Sequence, residues 1–247
     1  MNWAAEKLRE LASKCEVESF MEGDPSRFLR VQEGDANREA VAFVASALSF
    51  GSRPQFLKRI EWLVERSNGS MDAWIRSGAF ERDLPDDPST PFYRFFTQAD
   101  MRSFLARYRA IMNEYGTLGE YVRSRASTGL EAVKAIVEAF AGASVHPVVP
   151  KCADSACKRV CMFLRWMARD SSPVDLGLWS AFLARASLII PLDTHVLQEA
   201  RRHGLMKGRN ATMSAALRLT AKLSEIFPGD PLKGDFALFG AAVCGAT

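Results

Sequence analysis

The chain has 247 residues, 32 Lys plus Arg against 29 Asp plus Glu, and a formal charge of +3. A hydrophobic fraction of 48% excludes a mainly disordered chain, and 16 Gly with 11 Pro exclude a collagen-like or low-complexity one. So small a net charge does not by itself indicate a polyanionic partner, so a nucleic-acid role has to rest on local patches and chemistry.

The first residues, 2–14, repeat apolar positions at Trp3, Leu8 and Leu11 and predict an amphipathic helix. Asp35 or Asn37 is placed to cap a second helix carrying Val41, Phe43, Val44 and Leu48. Arg53 to Arg66 predicts a third, ended by Asn68-Gly69, and Ser70 precedes a short one with Met71, Trp74 and Ile75. Three prolines between Asp83 and Pro91 predict a loop. Helical periodicity resumes over 98–114, 117–124 and 129–142, and a lobe boundary is expected at 143–154, beside Pro147 and Pro150.

Ser155 then precedes a strong helix over 156–169, followed by a loop at 170–176 and a turn around Trp179. Leu188-Ile189-Ile190 is a strand candidate of only three residues, Asp193 is placed to cap 194–203, and further helices fit 211–226 and 232–244. No alternating strand series is present, so the fold is expected to be all-α. It is expected as one globular unit over 1–247 with two discontinuous lobes, about 1–35 plus 155–247 and 36–154.

No apolar run reaches the roughly 18 residues of a membrane span, and the acid-bearing start lacks a secretion segment. A cytoplasmic, monomeric protein is expected, with no membrane contact. The five cysteines form no secreted framework. Cys152, Cys157 and Cys161 could approach a metal, but their spacing is not a usual zinc or iron–sulfur pattern; no metal and no cofactor are expected. His195 and His203 read as helix residues rather than ligands.

Two residues carry possible chemistry. Lys158 falls at a helix start, where the dipole and exposed amides disfavour an ammonium group, and a neutral amine is what a nucleophile needs. A solvated surface lysine fits the same spacing. Asp193 as an N-cap is a fixed carboxylate able to stabilise developing positive charge, and equally a purely structural cap.

The stretches Ser155-Ala156-Cys157-Lys158-Arg159-Val160-Cys161 and Ile190-Pro191-Leu192-Asp193-Thr194-His195-Val196 resemble the bacterial DUF2400 family. So do Ala45-Ser46-Ala47-Leu48-Ser49-Phe50-Gly51 and Asp235-Phe236-Ala237-Leu238-Phe239-Gly240, and the likeness spans roughly 22–244. That family is related to the helix-hairpin-helix (HhH-GPD) base-excision DNA glycosylases, with archaeal 8-oxoguanine glycosylases the nearest functional analogue. The resemblance implies a two-lobed helical glycosylase fold and a bifunctional glycosylase/AP lyase acting on an oxidised purine in damaged duplex DNA. It implies Lys158 as the amine attacking C1′ and Asp193 as the assisting carboxylate.

A base flipped from the duplex needs stacking walls and polar readers, for which Phe50, Trp166, Asp175, Trp179 and Phe239 are the candidates. Arg53, Lys58, Lys151, Arg159, Arg165 and Arg201 are the candidate phosphate contacts. The chain departs from the pattern in three places. The glycine-rich hairpin before the lysine is replaced by Pro150 to Cys157, Leu48 stands at the position of an inserted glutamine, and the four-cysteine cluster is missing. A nucleic-acid structure-binding protein without catalysis, possible on the same fold, and a helical protein-interaction scaffold with an exposed apolar patch at 71–95 or 176–190, are the alternatives.

Overall fold

The computed structural model describes residues 2–141, 148–150 and 152–243. Helices dominate them: α1 Asn2–Cys15, α2 Asp35–Leu48, α3 Arg53–Arg66, α4 Met71–Arg76, α5 Phe80–Asp83, α6 Gln98–Tyr115, α7 Leu118–Arg123 and α8 Gly129–Ala139, then α9 Lys158–Ala168, α10 Thr194–Arg202, α11 Met213–Ile226 and α12 Lys233–Val243. The fold is essentially all-α. The exception is a small antiparallel hairpin, β1 Pro91–Tyr93 and β2 Phe96–Thr97, which lies where the sequence predicts a loop up to Pro91. Leu188-Ile189-Ile190 forms no strand; its extended backbone instead donates from Ile190 N to Thr220 Oγ1 at 3.0 Å.

Cα packing divides the chain into two units. One comprises Met1–Glu22, Ser127–Val133 and Ala153–Thr247; the other Gly23–Ala126 and Lys134–Cys152. Half of the expected boundary at 143–154, residues 143–147 and 151, lies outside those described.

In the first unit α12 packs against both α1 and α10. Gly240 permits that approach to α1, because a Cβ there would meet Cys15 Cβ and Sγ at 2.5 Å. Phe20 stacks edge-on against Phe236 with centroids 5.1 Å apart. In the second unit α2 is buried from Glu39 to Leu48, and Phe43 meets Phe104, Tyr108 and Phe140 at 5.0–5.4 Å. The buried Glu39 carboxylate accepts from Leu118 N and Gly119 N, at 2.8 and 3.1 Å, and so satisfies the first amides of α7 from another helix.

Local capping follows the sequence at some helices and departs from it at others. Ser70 accepts from Ala73 N at the start of α4 as expected. At α2, however, Gly34 with φ of +83° is the cap residue and Asp35 is already helical. Asn37 reaches back to Glu33 O and accepts from Asp72 N at 3.0 Å, thereby serving α4 instead.

Candidate functional site

Helix α9 is buried from Val160 to Ala168, which leaves its cations with a choice between partners and desolvation. Arg165 donates from Nε to Asp175 at 3.2 Å and from Nη1 to Asp235 at 2.5 Å. Arg169, fully buried, donates to the other Asp175 oxygen at 2.5 Å, to both oxygens of Asp230 at 2.9 and 2.8 Å, and to Glu16 at 2.6 Å. The Phe236 ring lies beside both guanidinium groups, 4.6 Å from Arg165 and 5.3 Å from Arg169. Burial works against the Arg169 charge, but Asp230, Asp175 and Glu16 together hold its pKa well above the ordinary value.

This network corrects two expectations. Arg165 does not face phosphate, because it is 4% exposed with its guanidinium committed to two carboxylates. Asp175 is buried between two arginines, with its oxygens occupied, so it supports α9 rather than reading a base. Glu16, Asp230 and Asp235 were missed as partners. The available signal was the i, i+4 pair Arg165 and Arg169 on a helix otherwise apolar enough to be buried.

Lys158 opens α9. Before it, Cys157 takes a left-handed backbone at φ of +45° and gives no side-chain cap, so the helix starts abruptly at the lysine. The preceding segment is stitched to the start of α11 by the Ser155–Thr212 bridge and by Met213 N donating to Asp154 O at 3.0 Å. Lys158 is half-buried, with Nζ 3.6 Å from Met162 Sδ. Asp193 caps α10 as expected, Oδ1 accepting from His195 N and Val196 N at 2.9 Å each.

Burial pushes the Asp235 carboxyl up, and its ion pair with Arg165 pulls it down.

The other expected residues fall in different settings. Trp166 is fully buried, its Nε1 lacking a hydrogen-bond partner among the described residues, so it offers no open stacking face. Trp179 is 3% exposed and packs edge-on against Phe163 at 5.1 Å. Phe239 is half-buried, 6.2 Å from Phe20. Arg159 is half-buried, and burial brings its pKa down to about 10. Arg201 is exposed in the last turn of α10. Phe50, Arg53 and Lys58 belong to the second unit; Lys151 lies outside the described residues.

Two further features bear on function. A cleft of about 620 Å3 in the first unit is lined by Arg9, Glu16, Arg185, Phe227, Asp230 and Lys233, and none of the expected site residues lines it. Among the described residues no cluster of His, Cys, Asp or Glu could hold a metal, and no helix is long and apolar enough to cross a membrane.

The chain belongs to the DUF2400 family, described as a protein of unknown function, whose profile matches residues 24–244. No curated protein and no solved structure matches it.

Proposed function

Taking that membership as the premise, we propose that the protein is a monomeric DNA glycosylase with AP-lyase activity on a divergent two-lobed HhH-GPD fold, releasing an oxidised purine such as 8-oxoguanine from duplex DNA. The reading is supported by one observation above the others. Lys158 opens α9 with a half-buried amine, and Asp193 is fixed at the cap of α10 by His195 N and Val196 N, so the first unit carries both groups the chemistry needs.

The chemistry gives each group one role. The target base is rotated out of the duplex, and the Lys158 amine in its neutral form attacks C1′ as the C1′–N bond breaks. The bonding pair leaves with the base, which takes up a proton from solvent, and the attacking nitrogen gives one up. Asp193 stabilises the positive charge growing at C1′. Ring opening yields an iminium between Lys158 and C1′. Loss of a C2′ proton then expels the 3′ phosphate by breaking C3′–O, and hydrolysis returns the amine. The Arg165–Asp235 ion pair ties α9, which carries Lys158, to α12.

Incubation with an 8-oxoguanine duplex and borohydride should trap a covalent complex. Lys158→Gln should abolish trapping; trapping that survives the substitution removes the assigned nucleophile. The second reading is a nucleic-acid structure-binding protein without catalysis. Salt-sensitive binding with no base release across a panel of lesions would select it.

A further inference from the structure

We infer that the β1–β2 hairpin of the second unit is a DNA-stacking wedge, with Phe95 as the inserted ring and Arg94 as the phosphate contact beside it. The inference rests on the nucleic-acid part of the proposed function and not on its lyase chemistry.

The hairpin is closed by the Tyr93–Phe96 pair, so Arg94 and Phe95 are its two-residue tip. Arg94 sits at φ of +54°, a region that glycine occupies freely and a side chain does not. An arginine there keeps a long cation at the tip against the local backbone preference, and outliers of this kind concentrate at functional sites.

Phe95 is 59% exposed, the highest value among the exposed large hydrophobic residues. A ring so open adds nothing to the core, yet its base is braced by aromatics. Phe50 lies 5.2 Å and Phe96 4.9 Å from it, and Phe50 in turn meets Tyr93 and Phe96 at 5.0 Å each. Tyr93 Oη donates to Phe50 O, and Arg94 Cζ lies 5.9 Å from the Phe50 ring. The tip therefore sets an exposed ring on an aromatic cluster.

Cations lie beside the tip, while the nearby carboxylates Asp87 and Asp100 are taken up by the hydroxyls and amides of Ser89, Thr90 and Thr97. Gly51, at φ of +77°, lies under the tip; a Cβ there would run into Arg94 Nη1 and meet Arg94 Cδ and Tyr93 Oη at 2.9 Å. Helix α3 begins two residues on, at Arg53, and its exposed Arg59 lies 5.4 Å from the Phe92 ring of β1. One exposed ring, Phe95, beside the exposed cations Arg94 and Arg59 fits a nucleic acid, whose bases offer π faces and whose backbone offers negative charge. A lipid or an acidic peptide would use the cations but gains no stacking from Phe95.

The test uses the full chain and a short duplex carrying a tetrahydrofuran abasic analogue, whose gap in the stack gives the ring a place to enter. Phe95→Ala should weaken binding roughly ten-fold with an unchanged salt slope, because stacking and not charge is lost. Phe95→Trp should restore it. Arg94→Gly should lower the salt slope by about one while leaving the melting temperature the same or higher. Absent binding by the wild-type chain, binding unaffected by Phe95→Ala, or a loss that Phe95→Trp does not repair would each overturn the inference. Absent borohydride trapping with Phe95-dependent binding intact would instead remove the lyase reading and leave the wedge standing.

Discussion

Arg165 in α9 donates to Asp235 in α12, and both side chains are more than nine-tenths buried. The same guanidinium also holds Asp175, which it shares with Arg169, while Asp235 has Arg165 as its ion-pair partner. Arg165→Met should therefore cost about 3–5 kcal/mol in denaturant unfolding, since removing one partner of a buried ion pair leaves uncompensated charge. The salt dependence of any DNA binding should be unchanged in a folded sample, because this arginine meets no phosphate.

Asp193 combines a cap and a charge, and two substitutions separate them. Asparagine can still accept from His195 N and Val196 N, so Asp193→Asn should keep nearly wild-type stability while losing base release. Asp193→Ala should lose both, at about 1 kcal/mol in stability. Parallel unfolding curves and single-turnover excision assays check this; normal turnover in Asp193→Asn would remove the carboxylate from the chemistry.

Gly177 secures the end of α9. Its N–H and that of Leu176 donate to Trp166 O, at 3.1 and 2.8 Å, and Trp179 N donates to Met167 O at 2.7 Å. Its φ is +69°, and a Cβ would stand 2.5 Å from Asp170 Cα, a backbone atom that cannot swing aside. Gly177→Ala should destabilise by more than the roughly 1–2 kcal/mol of left-handed strain alone. Gly23→Ala is the control: φ is +71° and nothing lies within 4 Å, so strain should be its whole cost. Urea midpoints of the two variants should differ by the steric part.

Ahead of the hairpin, Ser89 and Thr90 donate to the Asp87 carboxylate and hold its pKa down to about 2. The folded value lies below the unfolded one, so the contribution to stability is complete above pH of about 4 and is lost as pH falls through about 2. A carboxyl-carbon NMR titration should give a midpoint near 2 for Asp87, and Ser89→Ala should move it upward. A wild-type midpoint at the ordinary aspartate value would show that the turn is not formed in solution.

What could be read from the chain alone is what neighbours along it decide. Arg53–Arg66 is helical over the span its periodicity predicts, and Ser70 and Asp193 cap helices because a side-chain oxygen two or three residues from an amide needs no distant partner. The all-α class follows for the same reason, and so does a helix start near Lys158, although α9 begins two residues after the expected position 156. Long-range pairing decided the rest. Arg165 and Lys58 are both cations on helices, and nothing near them in sequence says that one meets Asp235, seventy positions away, while the other stays exposed. The hairpin tip escaped notice because strands of three and two residues carry no alternation to detect. Arg94 and Phe95 stand out only once the chain has turned and left one ring uncovered. Caps and the burial of one helix face leave a periodic local trace; the identity of a distant charge partner is set through space and leaves none.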